Sequence, residues 1–230
     1  MTRVAIIPAR SGSKRITNKN MSIIGGKPAF LLAIENAKET GLFSEIIVST
    51  DCERIASLAT ESGGLNVGVR PRELSDDYAT TIEVIKYEIS KIKDYGIPTE
   101  EVCCIYPVTP LLRSERVVEA YNLLKQKSLL FVVPVQESYL SEERQLSISE
   151  HGVIEKETIF KNRTQDTKKT YFDAGQFYWG TITAWENSST IFSDQTGVLL
   201  LNKWETIDVD DPEDLEVVRV LYAHRRGGGK

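Results

Sequence analysis

Residues 4–20, VAIIPARSGSKRITNKN, set the pattern on which this 230-residue chain is built. Val4 to Ile7 is a short apolar run of the kind that forms a buried strand. Open α/β sheets bind their ligands beyond the carboxyl ends of the strands, which is where the next loop lies. That loop contains glycine and four cations, namely Arg10, Lys14, Arg15 and Lys19.

The positive charge of this loop is local. Residues 1–34 contain six cations and no acidic residue, whereas the whole chain has a net charge of −5, so the remaining residues carry −11. Small residues also let the backbone approach an anion closely, with unpaired N–H groups lining the site. The segment therefore predicts an anion site, although a solvated basic loop is the alternative. The pattern is neither a Walker A loop nor G-x-G-x-x-G.

Apolar runs and amphipathic periodicity predict an α/β fold with a mainly parallel, Rossmann-like sheet covered by helices on both faces. The further strands are predicted at residues 46–48, 66–69, 102–106, 129–135, 198–201 and 205–210. The helices are predicted after Pro28, around residues 55–59, at residues 80–94, from Ser114 and after Asp211. In this scheme Ser49, Thr50 or Asp51 caps the second helix, and Asp51 is the favoured residue.

The sequence predicts a single domain over residues 1–230. Residues 136–181 are polar with short alternating apolar pieces, which favours a small hairpin-rich insertion that binds the sugar or forms a dimer. Gln165, Asp166, Tyr171, Asp173 and Gln176 lie in this insertion. Such polar side chains suit a sugar and suit an exposed loop equally well.

Composition excludes several classes of protein. Three cysteines and two histidines provide neither a disulfide framework nor a zinc cluster, which favours a reducing cytoplasm. No apolar run reaches the roughly 18 to 20 residues of a membrane span, and no signal peptide is recognisable, so no membrane partner is expected. The acidic balance argues against a nucleic-acid partner.

Residues 207–214, Ile-Asp-Val-Asp-Asp-Pro-Glu-Asp, form the second candidate site. Asp211 is a good helix cap, but Asp208 and Asp210 have no such explanation. In an extended segment these two carboxylates project from the same face and repel each other unless a cation lies between them. Oxygen ligands of this kind suit Mg²⁺ or Mn²⁺, and an acidic solvated loop is the alternative. A phosphate loop and a D-x-D pair together predict nucleotidyl transfer.

Taken together, these motifs resemble the CMP-sugar (acylneuraminate) cytidylyltransferase family over nearly the full chain. Residues 9–16, Ala-Arg-Ser-Gly-Ser-Lys-Arg-Ile, resemble its triphosphate loop, with Ser11 in place of the usual glycine. The resemblance implies a fold of the nucleotide-diphospho-sugar transferase type and CTP as a substrate. It implies CTP binding by Ala9, Arg10, Ser13, Lys14, Arg15, Asn20, Arg70 and Thr81, and catalytic roles for Arg10, Lys14, Lys19, Asp208 and Asp210, the last two holding the metal.

The resemblance also bears on the acceptor. Tyr106 stands where N-acetylneuraminate enzymes usually have glutamine, and residues 173–179, Asp-Ala-Gly-Gln-Phe-Tyr-Trp, replace their Asn-Gly stretch. These departures are most similar to the pseudaminic acid branch of the family. They imply an enzyme that makes a CMP-activated acidic nine-carbon sugar for surface glycans or flagellin, and the insertion at residues 136–181 favours a homodimer. The implied sugar site consists of Tyr106, Pro107, Thr109, Gln165, Asp173, Gln176 and Tyr178.

Two alternatives remain open at this stage. The first is a cytidylyltransferase for N-acetylneuraminate, legionaminate or a deoxyoctulosonate. The second is a nucleotide-sugar-binding protein that has lost catalysis, against which the intact cationic loop and the D-x-D pair argue.

Overall fold

The computed structural model describes residues 2–139, 145–155 and 166–227. Its strands are β1 (Arg3–Pro8), β2 (Ile23–Ile24), β3 (Lys27–Pro28), β4 (Glu45–Ser49), β5 (Glu101–Ile105), β6 (Phe131–Glu137), β7 (Tyr171–Asp173), β8 (Phe177–Thr181) and β9 (Thr196–Leu200). Its α-helices are α1 (Ala29–Glu39), α2 (Glu53–Glu61), α3 (Thr81–Asp94), α4 (Ser114–Gln126), α5 (Ile182–Asn187) and α6 (Pro212–Arg226).

Seven of these strands form one mixed sheet. β1 lies between β4 and β5 and is parallel to both, and β9 is parallel to β6. β8 joins the two parallel parts, since it is antiparallel to β5 and to the first residues of β6. β7 continues along the last residues of β6. The predicted sheet and its helical layers are confirmed, with β7 and β8 as its antiparallel members.

The two faces of the sheet bury separate clusters because side chains alternate along β1. Ala5 and Ile7 pack in the cluster that contains residues of α1, α2 and α4. Val4 and Ile6 pack in the cluster that contains residues of α3 and α5. Both faces are therefore covered, which explains why β1 is a continuous apolar run.

The helices α3 and α6 begin where their sequences predict. Thr80 caps α3 and Asp211 caps α6, each in a capping box with the acidic residue three positions later. Pro212 occupies the first turn of α6, where a missing N–H costs nothing. The sequence interpretation of Asp211 as a cap is confirmed.

The strand predicted at residues 66–69 is wrong. Leu65 makes only a parallel bridge to Ile47, and after it the Asn66 side chain donates from Nδ2 to the Val48 carbonyl oxygen at 2.9 Å. Asn66 Oδ1 then accepts from the Gly68 N–H, where φ is +121°. A side chain thus replaces the backbone ladder along β4, and the chain turns away.

The strand predicted at residues 205–210 is also wrong. This segment is held by side chains: the buried Glu205 carboxylate accepts from Arg113 Nε at 2.6 Å and from Arg116 NH2 at 3.1 Å. Thr206 donates to Gln136 Oε1. Ion pairs and hydrogen bonds hold the start of this segment, and none of the described strands pairs with it.

The insertion predicted over residues 136–181 extends too far. Its last residues form β8, whose Phe177, Tyr178 and Trp179 are buried in the middle of the sheet. Residues 147–155 make a small turn with a bridge between Ile148 and Ile154. The dimerisation role of this region stays a prediction. Among the described residues, no helix combines the length and apolar character needed to span a bilayer.

Candidate functional site

A cleft of about 790 Å³ opens where β1 and β5 end, with Pro8, Tyr106 and Pro107 in its floor. The cationic loop and the D-x-D segment both line it. Most of the predicted site residues meet here, although they are up to 200 positions apart in the sequence. The predicted residues that line the cleft are Arg10, Ser13, Lys14, Arg15, Lys19, Asn20, Arg70, Thr81, Tyr106, Pro107, Asp173, Tyr178, Asp208 and Asp210.

Three predicted residues lie behind the cleft instead of lining it. Ala9 is fully buried and donates its N–H to the Ser49 carbonyl oxygen at 2.8 Å, which continues the β1–β4 pairing. Thr109 and Gln176 are buried and fix the backbone of Tyr106: the Thr109 hydroxyl donates to the Tyr106 carbonyl oxygen, and the Tyr106 N–H donates to the Gln176 carbonyl oxygen. Gln165 lies outside the described residues.

Asp51 anchors the start of the cationic loop. Its carboxylate accepts from the Ser11 N–H at 2.6 Å and from the Ser11 hydroxyl at 2.8 Å. The predicted cap on α2 is therefore wrong, since Cys52 occupies that position without a side-chain cap bond. Ser11 is not among the described residues with positive φ, so its Cβ is accommodated without strain. The Asn20 amide closes the loop by donating to the Arg10 carbonyl oxygen at 2.7 Å.

Two cations of the loop, Arg10 and Lys14, contact a carboxylate that the sequence analysis did not single out. Asp77 accepts from Arg10 NH2 at 2.8 Å and from Lys14 Nζ at 2.5 Å. These two hydrogen bonds, that from Lys14 first, hold the pKa of Asp77 below its usual range. Arg10 NH1 also reaches the Ser75 carbonyl oxygen at 3.5 Å.

The other two cations of the loop, Arg15 and Lys19, contact the D-x-D segment. Arg15 NH2 lies 2.6 Å from Asp210 Oδ1, and Lys19 Nζ lies 3.7 Å from the same oxygen. Burial raises the pKa of Asp208, with Asp210 adding to the effect and Lys19 opposing it. The two carboxylates thus face the same cleft as the cations.

The chemistry of these donors fits a hard divalent cation. In the described part of the chain, no group of three or more His, Cys, Asp or Glu side chains could hold a metal. Mg²⁺ usually takes only one or two protein carboxylates and completes its shell with water and substrate phosphates. Asp208 and Asp210 supply such a pair of oxygen donors, so the residues present fit the predicted ion.

A buried polar chain fixes Arg70 at the far side of the cleft. Arg70 Nε donates to Ser75 Oγ at 3.1 Å, and NH1 lies 3.4 Å from Ser49 Oγ. The Ser49 hydroxyl donates in turn to Glu88 Oε1 at 2.6 Å. Burial lowers the pKa of Arg70, against the opposing charges of Asp51 and Glu88, and burial raises the pKa of Glu88.

Two tyrosines, Tyr106 and Tyr178, line another part of the cleft. Tyr106 shares a 2.6 Å hydrogen bond with the Thr81 hydroxyl, and Tyr178 donates to Asp173 Oδ2. Their rings meet edge to face with centroids 5.5 Å apart. Burial raises the pKa of both phenols, so they stay neutral and act as hydrogen-bonding groups. Thr81 belongs to the predicted nucleotide site and Tyr106 to the predicted sugar site, so this bond joins the two.

Sequence reasoning missed four contributors to this site: Asp77, Ser75, Glu88 and the anchoring role of Asp51. The one available signal was the Asp76–Asp77 pair just before α3, in a chain whose N-terminal loop lacks acidic residues. Such a pair is also typical of a solvated turn, so its position alone does not distinguish the two roles.

Comparison with known proteins identifies the family. The cytidylyltransferase family model matches residues 4–224. The chain is 36% identical to the pseudaminic acid cytidylyltransferase of Campylobacter jejuni over 230 aligned positions, which cover 96% of this chain and 97% of that protein. It is 29% identical to the CMP-N,N'-diacetyllegionaminic acid synthase of Legionella pneumophila, with 96% of each chain covered.

A solved structure supports the same fold. The CMP:2-keto-3-deoxy-manno-octonic acid synthetase complexed with CTP superposes with a TM-score of 0.72 over 98% of this chain and 100% of that one. At 18% identity this likeness concerns the fold alone, which is Rossmann-like. From the full-length family match, the relative at 36% identity and a cleft that gathers the family's motif residues, we conclude that this chain belongs to the cytidylyltransferase family.

Proposed function

We propose that this enzyme transfers CMP from CTP to the C2 hydroxyl of pseudaminic acid, which is a nonulosonic acid, and releases pyrophosphate. The observation that carries the proposal is the meeting of Arg10, Lys14 and Lys19 with Asp208 and Asp210 in one cleft. The name of the Campylobacter relative supports the choice of sugar. The product would serve a surface glycan or flagellin.

The nucleotide would lie between the loop and the D-x-D segment. Arg10, Lys14, Arg15 and Lys19 would neutralise the triphosphate, most strongly as negative charge develops on the leaving pyrophosphate. Asp208 and Asp210 would hold Mg²⁺ (or Mn²⁺), which when bound neutralises phosphate charge and lowers the pKa of the attacking hydroxyl.

The base and the sugar would occupy the inner part of the cleft. Arg70 is held rigidly by Ser49 and Ser75 and would present its guanidinium to the cytosine, with Asn20 and Thr81 nearby. Tyr106, Asp173 and Tyr178 would orient the sugar. Its C2 hydroxyl would lose its proton to solvent as the oxygen attacks the α-phosphorus in line, while the bond to the pyrophosphate oxygen breaks.

An acceptor profile tests this proposal. Pyrophosphate release is measured with CTP and each of pseudaminate, N-acetylneuraminate, N,N'-diacetyllegionaminate and 3-deoxy-manno-octulosonate. We expect the highest kcat/KM with pseudaminate. Turnover of neuraminate alone would overturn the choice of sugar, and no release with any acceptor would overturn the activity.

We propose further that the enzyme is a cytoplasmic homodimer. A subunit interface is supported by large apolar side chains that are exposed on β7, on β9 and just after β9. These are Tyr171, Phe172, Val198, Leu200 and Trp204. The proposed use of CTP as a substrate supports a cytoplasmic location. Sedimentation velocity checks the oligomeric state, and a monomer at micromolar concentration would contradict the dimer.

A further inference from the structure

Two cations of the phosphate loop, Arg10 and Lys14, form ion pairs with a carboxylate of the protein itself, that of Asp77. Asp77 Oδ1 accepts from Arg10, and Asp77 Oδ2 accepts from Lys14. Lys14 is 81% exposed, while the side chains of Arg10 and Asp77 are about one third exposed. Both ion pairs therefore lie in contact with water, where such pairs are weak and exchange readily.

The backbone around Asp77 is fixed independently of these ion pairs. Asp76 Oδ1 accepts from the N–H groups of Tyr78 and Ala79 at 2.8 and 2.9 Å, which holds the turn before α3. The Ser75 hydroxyl donates to the Pro71 carbonyl oxygen at 2.9 Å. The Asp77 side chain can consequently release its cations without unfolding the segment.

Asp77 differs in this respect from the other carboxylate that pairs with loop cations. Asp210 contacts Arg15 and Lys19, but it is also one of the two proposed metal ligands. Asp77 has no role in that proposal. Instead, its two oxygens pair with Arg10 and Lys14, the same two cations that the β- and γ-phosphates would contact.

We propose that Asp77 is an exchangeable counter-ion of the triphosphate site, which holds Arg10 and Lys14 before CTP binds, yields them to the β- and γ-phosphates, and takes them back as pyrophosphate leaves. This inference rests on the proposed function, in which Arg10 and Lys14 bind the phosphates that leave as pyrophosphate. Asp77 then lowers the affinity for CTP and for pyrophosphate, and it speeds release of the product.

The effect is specific to ligands that carry terminal phosphates. CMP lacks the β- and γ-phosphates, so it does not compete with Asp77 for these cations. In Asp77→Asn the amide is nearly isosteric but carries no charge. We expect this variant to bind pyrophosphate and CTP about three to ten times more tightly, and CMP within a factor of two.

Asp76→Asn is the matched control. It removes one negative charge from the neighbouring position, while the asparagine oxygen still accepts the two backbone hydrogen bonds of the turn. Dissociation constants for CTP, pyrophosphate and CMP are measured by calorimetry for the wild type and both variants, and product inhibition by pyrophosphate is measured in turnover. The control is expected to change each constant by less than twofold.

The result distinguishes this inference from the proposed function. Weaker or unchanged pyrophosphate binding in Asp77→Asn overturns the counter-ion role, because the carboxylate would then position the cations or do nothing. Equal tightening in Asp76→Asn overturns it too, since the effect would be general electrostatics. Lys14→Met, at a mostly exposed position, tests the function itself: it must weaken CTP binding more than CMP binding. If it does not, the assignment of the loop to the terminal phosphates fails first.

Discussion

The two sides of the cleft are built on opposite physical principles. On the phosphate side, exposed cations of one loop contact carboxylates from distant segments, as in the Arg10–Asp77 and Arg15–Asp210 pairs. On the tyrosine side, Tyr106 and Tyr178 are neutral, largely buried and held by hydrogen bonds to Thr81 and Asp173. The first side carries solvent-exposed ion pairs, and the second carries buried neutral hydroxyl groups.

This difference matches the ligands that each side is proposed to bind. A triphosphate needs charge that is neutralised when the site is empty and available when it is filled, which exposed ion pairs provide. A sugar is recognised by the positions of its hydroxyl groups, which require donors and acceptors that do not move. Changes on the two sides should therefore affect different substrates.

The largest effect is expected at the D-x-D segment. Asp208→Asn should lower turnover about a thousandfold, because it removes an oxygen anion from the proposed metal pair while keeping the volume. Burial already disfavours the charged form of Asp208, so the variant should fold as well as the wild type. Pyrophosphate release and thermal unfolding are measured together. Retained turnover in a folded variant would remove Asp208 from the chemistry.

A smaller effect is expected on the tyrosine side. Tyr178→Phe removes the hydroxyl that donates to Asp173 and leaves this carboxylate short of one partner. We expect kcat/KM for the sugar to fall about tenfold and the KM for CTP to change less than twofold.

Tyr95→Phe is the control for that variant, since Tyr95 is 61% exposed at the end of α3 and does not line the cleft. It should leave both kinetic constants unchanged. If Tyr178→Phe instead raises the KM for CTP as much as that for the sugar, the division of the cleft into two sides is wrong.

The smallest effect is expected on stability, at the buried carboxyl group of Glu88, which lies behind Ser49 and Arg70. Burial raises its pKa in the folded protein, so the unfolded chain ionises first as pH rises. Stability associated with Glu88 is thus fully present below the ordinary glutamate range and is lost as pH rises through the folded pKa. The neutral amide introduced by Glu88→Gln would mimic the protonated acid. In thermal melts, the Tm of this variant minus that of the wild type should therefore increase from acid to neutral pH.

Glu83 provides a control of opposite sign on the same helix. Hydrogen bonds from the Thr80 backbone and side chain lower its pKa, so its contribution is present at neutral pH and is lost as pH falls through the folded pKa. The Tm difference for Glu83→Gln should decrease from acid to neutral pH. The same trend for both variants would mean that Glu88 is not penalised by burial.

Local patterns predicted the elements whose signals lie within one segment. The apolar run of β1, the helix at residues 80–94 and the cap at Asp211 were found because each depends on residues a few positions apart. The strands predicted at residues 66–69 and 205–210 failed because side chains from elsewhere, or Asn66 itself, took the place of a neighbouring strand. The central position of β8 was missed because its neighbours β5 and β6 are distant in the sequence.

The amino-acid sequence alone was enough to predict the alternation of strands and helices, the cationic loop after β1 and the spare carboxylates at Asp208 and Asp210. These features follow from side-chain chemistry and short-range periodicity. Which charges meet depends on the tertiary structure. Asp51 faces Ser11 because the parallel strands β1 and β4 bring the loops at their carboxyl ends together. Asp77 faces Arg10 from the turn before α3, which is distant from the loop in the sequence. Ion pairing is a matter of distance in space, which no local pattern encodes.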